Sequence, residues 1–176
     1  MKIESSAFGA DDLTRYMDEL VDHDRMQMAT RLTRLSERLG ELGGRVPESP
    51  PSDGGAWTGQ EILAHIAVLS KFYGMVTYRI GSGQMTELDL LGNVNLRDVL
   101  GEQLGREAPS QLVEMARSDH RRSVEYLSGA DAKSMLRTCV IDGGRTTMTA
   151  ADFARLPLLA HLEGHLDQLE EALGDR

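Results

Sequence analysis

The spacing of hydrophobic residues along this chain predicts a mostly helical protein. From about residue 11 to residue 42, leucines and methionines recur at helical spacing, and Gly43-Gly44 follows as a stop signal. Residues 45–56 hold three prolines and two glycines, which is typical of a connecting loop. The pattern therefore predicts one long helix followed by a loop.

A second helix is indicated by its start signal. Thr58 and Glu61 have the spacing of a capping box, in which each side chain accepts a hydrogen bond from the other residue's backbone N–H. We therefore expect this helix to begin near Gly59. Position 65 falls within its apolar stripe, so the side chain of His65 is predicted to point inward.

The middle of the chain predicts a partly helical lid and then a third helix. Residues 81–108 contain several glycines but also enough apolar residues to pack a short helix near 96–104. Pro109 is a favoured first-turn residue, and the apolar positions after it predict a helix that ends near Gly129.

The last third of the chain predicts a small hairpin and a final helix. Two short β-prone runs flank an Asp-Gly-Gly turn between about residues 135 and 148. Thr149 and Asp152 repeat the capping-box spacing, so a helix should begin there. Pro157 lies inside this helix and should kink or restart it, because proline lacks the N–H that a helix needs. Four principal helices with apolar stripes predict an all-α four-helix bundle.

Composition narrows the class of protein. The 176 residues, 40% of them hydrophobic and 27% charged, suffice for one core, so we expect a single domain spanning 1–176. The single cysteine, Cys139, excludes an internal disulfide framework and any multi-cysteine metal site, as expected in a reducing cytosol. A net charge of -9 disfavours nucleic acid as a partner. No apolar run suggests a membrane span or a signal peptide, so a cytoplasmic location is expected.

Three histidines form the strongest candidate site. His161 and His165 are four residues apart on a predicted helix, a spacing from which two imidazoles can share one metal ion. His65, predicted to face inward from the second helix, would complete a set of three nitrogens for one divalent metal. A fourth position would stay open for water or substrate, as in catalytic zinc sites. The alternative is that each histidine is a partly buried side chain bonded to a carbonyl or a carboxylate.

Four further residues are weaker candidates. His120 could lie on the inner face of the third helix as a proton-transfer group near a metal, although a solvated or core-edge histidine is the favoured interpretation. Asp24 could orient a ligand histidine, but an exposed aspartate on a helix face is the simpler interpretation. His23 lies off the apolar stripe and receives no role. Tyr73 and Tyr78 could reach a cavity, yet such tyrosines usually keep the hydroxyl in water.

Two motifs resemble a known superfamily. The segment Trp57-Thr58-Gly59-Gln60-Glu61-Ile62-Leu63-Ala64-His65-Ile66-Ala67 resembles the helix-2 signature of the DinB/YfiT-like superfamily, which includes the N-terminal domain of mycothiol-dependent maleylpyruvate isomerases. The segment 161–169 is similar to its closing helix, of the form H-x-x-x-H-x-x-Q-L. The resemblance covers almost the whole chain in architecture, and these two motifs carry most of its specificity.

The resemblance implies a function. In that superfamily, histidines at the positions of His65, His161 and His165 bind a divalent metal, typically zinc or nickel. Its enzymatic members use the metal to activate a low-molecular-weight thiol, such as mycothiol, for attack on a small-molecule electrophile. A thiol S-transferase or thiol-dependent isomerase that forms a homodimer is therefore expected. The alternatives are a non-catalytic dimeric metal-binding or stress-response bundle, and a metal-dependent hydrolase, which would lack the H-E-x-x-H arrangement.

Overall fold

The computed structural model describes residues 9–50, 52, 56–90, 92 and 100–174. Within these ranges the chain is mostly helical and carries one small three-stranded sheet. The elements in chain order are α1 (Ala10–Gly43), α2 (Gly59–Gly81), β1 (Glu87–Leu88), α3 (Pro109–Gly129), α4 (Ala132–Met135), β2 (Thr138–Ile141), β3 (Thr146–Thr149), α5 (Ala150–Phe153), a π-helical segment (Ala154–Ala160) and α6 (His161–Ala172).

Both predicted capping boxes are confirmed. At the start of α2, the Thr58 hydroxyl accepts from the Glu61 N–H at 3.2 Å, and the Glu61 carboxylate accepts from the Thr58 N–H at 2.7 Å. At the start of α5, Thr149 accepts from the Asp152 N–H at 3.1 Å, and the Asp152 carboxylate accepts from the Thr149 N–H at 2.9 Å. Each box satisfies two backbone donors that a helix start leaves free, so both helices begin where the sequence predicts.

The helix does not restart at Pro157, which was one of the two outcomes expected there. Phe153 and His161, which flank the π-helical segment, both have right-handed helical backbone angles, so α5, this segment and α6 form one continuous helix. Proline cannot donate the usual hydrogen bond to the carbonyl four residues earlier. The wider π turn accommodates that missing bond, and the helix therefore continues into the two histidines of α6.

The predicted hairpin is confirmed, and a third strand joins it. β2 and β3 pair antiparallel, with Thr138 opposite Thr149, and the turn between them has positive φ at Asp142 and Gly143. β1 pairs with β2 in parallel, which the sequence did not predict. Of the short helix expected near 96–104, residues 100–104 are helical, and residues 96–99 lie outside the described ranges.

The core lies between the long helices. α3 packs against α1 and α2, while the helix formed by α5, the π-helical segment and α6 packs against both α1 and α2. Fully buried apolar side chains come from every one of these helices, including Leu39, Ile62, Leu112 and Leu166. None of the helices in the described ranges combines the length and the apolar character that crossing a membrane would require.

The apolar stripe of α1 is buried only in its C-terminal part. From Met28 onward its apolar side chains enter the core, whereas Leu13, Met17 and Leu20 are 59%, 50% and 45% exposed. Tyr16 adds to the same face with 57% exposure. The N-terminal half of α1 therefore presents an apolar stripe that the described part of this single chain does not cover.

Candidate metal centre

The fold brings the three predicted histidines together. His65 sits on α2 between Ile62 and Ile66, which are each only 1% exposed, so the core holds this face of the helix. His161 and His165 occupy successive turns of α6, where Leu162 and Leu166 are buried. The potential ligand atoms of these three residues all lie within 4.8 Å of one another. We refer to His65, His161 and His165 as the three-histidine cluster.

The three-histidine cluster brings three imidazole rings close together. Ring centroids are 4.6 Å apart for His65 and His165, 4.6 Å for His161 and His165, and 6.1 Å for His65 and His161. Two nitrogens bound to one tetrahedral ion at the usual zinc–nitrogen distance are separated by about 3.3 Å. The ligand atoms of the cluster lie within 4.8 Å of one another, so small side-chain rotations would bring the nitrogens to the separation that a bound ion requires. Among the described residues, no cysteine or carboxylate joins this group.

His165 provides the strongest test of fit. Its Nδ1 lies 3.0 Å from Oε1 of Gln168, an acceptor, so Nδ1 carries the proton and donates. In the neutral ring this leaves the lone pair on Nε2. That Nε2 is buried and has no hydrogen-bond partner among the described residues. A buried nitrogen with an unused lone pair, held in one tautomer by a neighbouring side chain, is the arrangement that metal-binding histidines adopt.

Two aromatic rings border the three-histidine cluster. The Trp57 indole meets His65 edge-on at 4.8 Å and stacks on His165 at 6.5 Å between centroids. Tyr73 is buried, and its ring lies 5.8 Å from that of His161. Tyr78 packs against Tyr126 instead, in a groove between α2 and α3. Of the two tyrosines singled out in the sequence, only Tyr73 therefore borders the cluster.

The three-histidine cluster is closed on its inner side and open on its outer side. The inner face holds a space of only about 10 Å³ between His161, His165 and the apolar residues around them. On the outer side, the His65 cavity has a volume of about 600 Å³ and is lined by Ser52, Trp57, Glu61, His65, Gly101, Glu102, Gly105 and Arg106. The His165 cavity measures about 720 Å³ and is lined by Ala56, Trp57, Thr58, Gly59, Ile62, His165, Gln168, Glu171 and Ala172. Trp57 lines both cavities, and each cavity borders one histidine of the cluster.

His120 is not the solvated or core-edge histidine that the sequence favoured. It is 1% exposed, and its Nε2 lies 2.8 Å from the Ser70 hydroxyl, while its Nδ1 is buried without a hydrogen-bond partner. Burial, reinforced by the positive charge of Arg117, lowers the pKa of His120 to about 4. The ring is therefore neutral at physiological pH. His120 lies inward, as its position on the third helix suggested, but it is not part of the three-histidine cluster.

The two polar candidates on α1 are also outside the site. Asp24 forms an ion pair with Arg155 and does not orient a ligand histidine. Asp24 is also not the exposed aspartate that was the simpler interpretation, because its side chain is partly buried and paired. His23 is exposed and bonds Gln27 at 2.7 Å, in agreement with its position off the apolar stripe.

Sequence reasoning missed two residues of the site. Gln168 was noted only as part of a motif, although its spacing of three from His165 places the two side chains on one helix face. Trp57 was noted only as the first residue of the other motif, and nothing in the local sequence indicates that its ring covers histidines from two helices. The first residue could have been found from helical spacing, and the second required the tertiary fold.

Comparisons with known proteins identify no relative. No family model matches the chain, and no match is found among curated proteins or solved structures. The interpretation of the site therefore depends on the geometry of its own residues and on the two motifs in the sequence.

Proposed function

We propose that this chain is a DinB-like protein in which His65, His161 and His165 bind one divalent metal ion, zinc or nickel. We further propose that it acts as a thiol S-transferase or thiol-dependent isomerase. The observation that carries the proposal is the buried, unpartnered Nε2 of His165 in a group whose ligand atoms lie within 4.8 Å. An unsatisfied buried nitrogen costs about 1–3 kcal/mol, and a bound ion would remove that cost.

The packing of the helices supports a four-helix bundle of this type. α1, α2, α3 and the continuous helix ending in α6 pack around one core, and the three-histidine cluster lies between two of them. Facing helix interiors are the usual location for metal sites in bundles. The single-domain interpretation of residues 1–176 remains a prediction.

The donor set indicates the chemistry. A divalent ion held by three neutral imidazoles keeps its positive charge and lowers the pKa of a thiol or water that occupies its open position. Hydrolysis would also require a general base, and no described carboxylate belongs to the cluster. The nearby carboxylate of Glu61 already accepts hydrogen bonds from Ser52 and Thr58. These facts favour a thiol over water, and the resemblance favours mycothiol, with an electrophile as the second substrate.

The chain's own residues would orient the reactants and exclude water. Gln168 holds the His165 ring with Nε2 available, and the mostly apolar lining behind His161 leaves a space of only about 10 Å³ on the inner side. Trp57 divides the outer side into the His65 cavity and the His165 cavity. A thiol and an electrophile could therefore approach the cluster from different sides of the indole.

A second candidate function is a non-catalytic dimeric metal-binding bundle. The exposed stripe on α1, formed by Leu13, Tyr16, Met17 and Leu20, supports it, because apolar faces of this kind usually contact another protein. The same stripe supports a homodimer in the enzymatic proposal. Catalytic turnover separates the two functions, whereas the oligomeric state does not.

Metal binding is tested first. Dialysed protein should retain about one divalent ion per chain by elemental analysis, because three nitrogens suffice for one ion but not for two. His65→Ala and the double variant His161→Ala/His165→Ala should lose it, and His23→Ala, which changes an exposed histidine, should not. Variants of the cluster that keep the wild-type metal content would show that these are not the ligands.

Catalysis is tested next. Metal-loaded protein should consume a chromogenic electrophile, or isomerise maleylpyruvate, faster when mycothiol, bacillithiol or glutathione is added. Chelated protein and His165→Ala should not show this acceleration. Turnover without a thiol would support a hydrolase, and no metal-dependent turnover with any thiol would support the non-catalytic bundle.

A further inference from the structure

The His65 cavity contains an arginine that has no ion-pair partner among the described residues. Arg106 is exposed and lines this cavity together with His65 and Trp57. No carboxylate in the described part of the chain pairs with Arg106. Several other arginines are paired in this acidic protein, as the ion pairs of Arg38 and Arg155 illustrate. A cation that no described carboxylate neutralises, beside the candidate metal site, is therefore a candidate for binding an anionic group of a ligand.

The backbone on both sides of Arg106 is anchored to the helix that carries His65. Gln60, on α2, is only 6% exposed, and its Nε2 donates to the carbonyl of Gly105 at 3.0 Å and to that of Glu107 at 2.9 Å. Its Oε1 accepts from the backbone N–H of Ser49 at 2.8 Å. Gln60 thus fixes the position of residue 106 relative to residue 65, which lies five residues later on the same helix. An anchored arginine loses less entropy on binding than one on an unattached loop.

The other charges of the cavity determine the kind of ligand. Glu61 also lines it, and three hydrogen bonds from Ser52 and Thr58 hold the pKa of its carboxyl below the usual value despite an opposing effect of burial. The negative charge of Glu61 is therefore partly compensated by these donors from the loop before α2. Glu102 is exposed and opposes an anion. With the proposed divalent ion present, Arg106 and that ion outweigh the two glutamates by one positive charge, so the loaded cavity favours an anion.

We propose that Arg106 binds a carboxylate group of the small-molecule substrate and thereby selects carboxylate-bearing thiols or electrophiles over their neutral analogues. This inference rests on the proposed function, because the reactive sulfur is placed at the three-histidine cluster. Arg106 is a specificity-determining residue, and Gln60 positions it. The planar guanidinium can donate two parallel hydrogen bonds to a carboxylate, which a neutral amide cannot match.

Two probes that differ only in charge test the proposal. Metal-loaded protein is titrated with 3-mercaptopropionate and with its neutral amide, 3-mercaptopropanamide, and binding is followed through the fluorescence of Trp57, the only tryptophan. We expect the acid to bind about fivefold more tightly than the amide, the upper range for a solvent-exposed ion pair. Arg106→Gln should remove this preference and should leave the binding of the amide unchanged. Glu102→Gln should increase it, because a like charge is removed.

The controls separate this inference from the proposed function. Arg79→Gln removes an exposed arginine of α2 outside the His65 cavity and should leave the preference unchanged, and Gln60→Met should reduce it with Arg106 intact. Equal binding of acid and amide by the wild type, or a preference that persists in Arg106→Gln, overturns the role of Arg106. If chelated protein binds both thiols as tightly as metal-loaded protein does, the proposed function is wrong. The ratio of the affinities for the acid and the amide still tests the role of Arg106 in that case.

Discussion

The hydrogen bond between Gln168 and His165 should control metal affinity. Gln168 Oε1 accepts from Nδ1–H at 3.0 Å and so selects the tautomer whose lone pair is on the buried Nε2. In Gln168→Met the side chain keeps a similar length but loses its acceptor. The ring is then free to place its proton on either nitrogen and to rotate away from the cluster. Both changes weaken metal binding, because the bound state requires one tautomer and one ring orientation.

The expected loss follows from the strength of one hydrogen bond. A net contribution of about 1 kcal/mol corresponds to about a fivefold change in a dissociation constant. Loss of ring orientation adds to it, and removal of such a partner from a ligating histidine typically costs about 10–100-fold in affinity. We expect Gln168→Met to bind zinc or nickel about tenfold more weakly. Gln168→Glu should bind at least as tightly as the wild type, because a carboxylate accepts the same Nδ1–H more strongly.

The assay is a competition titration of zinc or nickel against a chelator of known affinity, followed through Trp57, whose ring lies 4.8 Å from that of His65. Gln27→Met is a matched control, since Gln27 also bonds a histidine on its own helix, His23, at 2.7 Å, far from the cluster in sequence. Thermal unfolding of the metal-free variants checks that the fold is intact. Equal affinity of wild type and Gln168→Met, or a Glu variant as weak as the Met variant, would refute the reasoning.

Two further predictions concern buried residues outside the three-histidine cluster. Burial lowers the pKa of His120 from 6.5 to about 4. Between these two pH values the folded state therefore binds fewer protons than the unfolded state. The free energy of unfolding should fall by about 3 kcal/mol as the pH drops through this range. Chemical denaturation at pH 7 and pH 4.5 should show a smaller fall for His120→Gln, whereas His23→Gln should behave as wild type. Cys139→Ser should retain metal binding and any thiol transfer, since the reacting sulfur belongs to the substrate; folded but inactive protein would indicate a covalent cysteine mechanism.

Features determined by neighbouring residues could be predicted from the sequence. The capping boxes at Thr58 and Thr149 depend on contacts three residues apart, and the pairing of His161 with His165 depends on helical spacing. The inward direction of His65 follows from its place in an apolar stripe. Each of these features is set within one helix, so local periodicity is sufficient to find it.

Features that depend on contacts between distant segments could not be predicted. The parallel pairing of Glu87 with Val140 involves a strand of two residues, too short for any periodicity to appear. His120 is buried because Ser70, on another helix, offers its hydroxyl, and an amphipathic pattern alone places such a histidine at the edge of the core. The anchoring of the backbone around Arg106 likewise requires Gln60, more than forty residues away.

Within the described residues no carboxylate joins the cluster although α6 is acidic, and the packing of α6 on α1 shows where those carboxylates go. Glu163 lies between the two histidines in sequence, but its carboxylate pairs with Arg31 of α1. Asp167 and Glu170 both pair with Arg38 of α1, each at 2.9 Å. The acidic residues of α6 thus face the arginines of α1, on the side of the helix opposite to the histidines. The proposed metal ion would therefore meet three neutral nitrogens and retain the positive charge on which activation of a thiol depends.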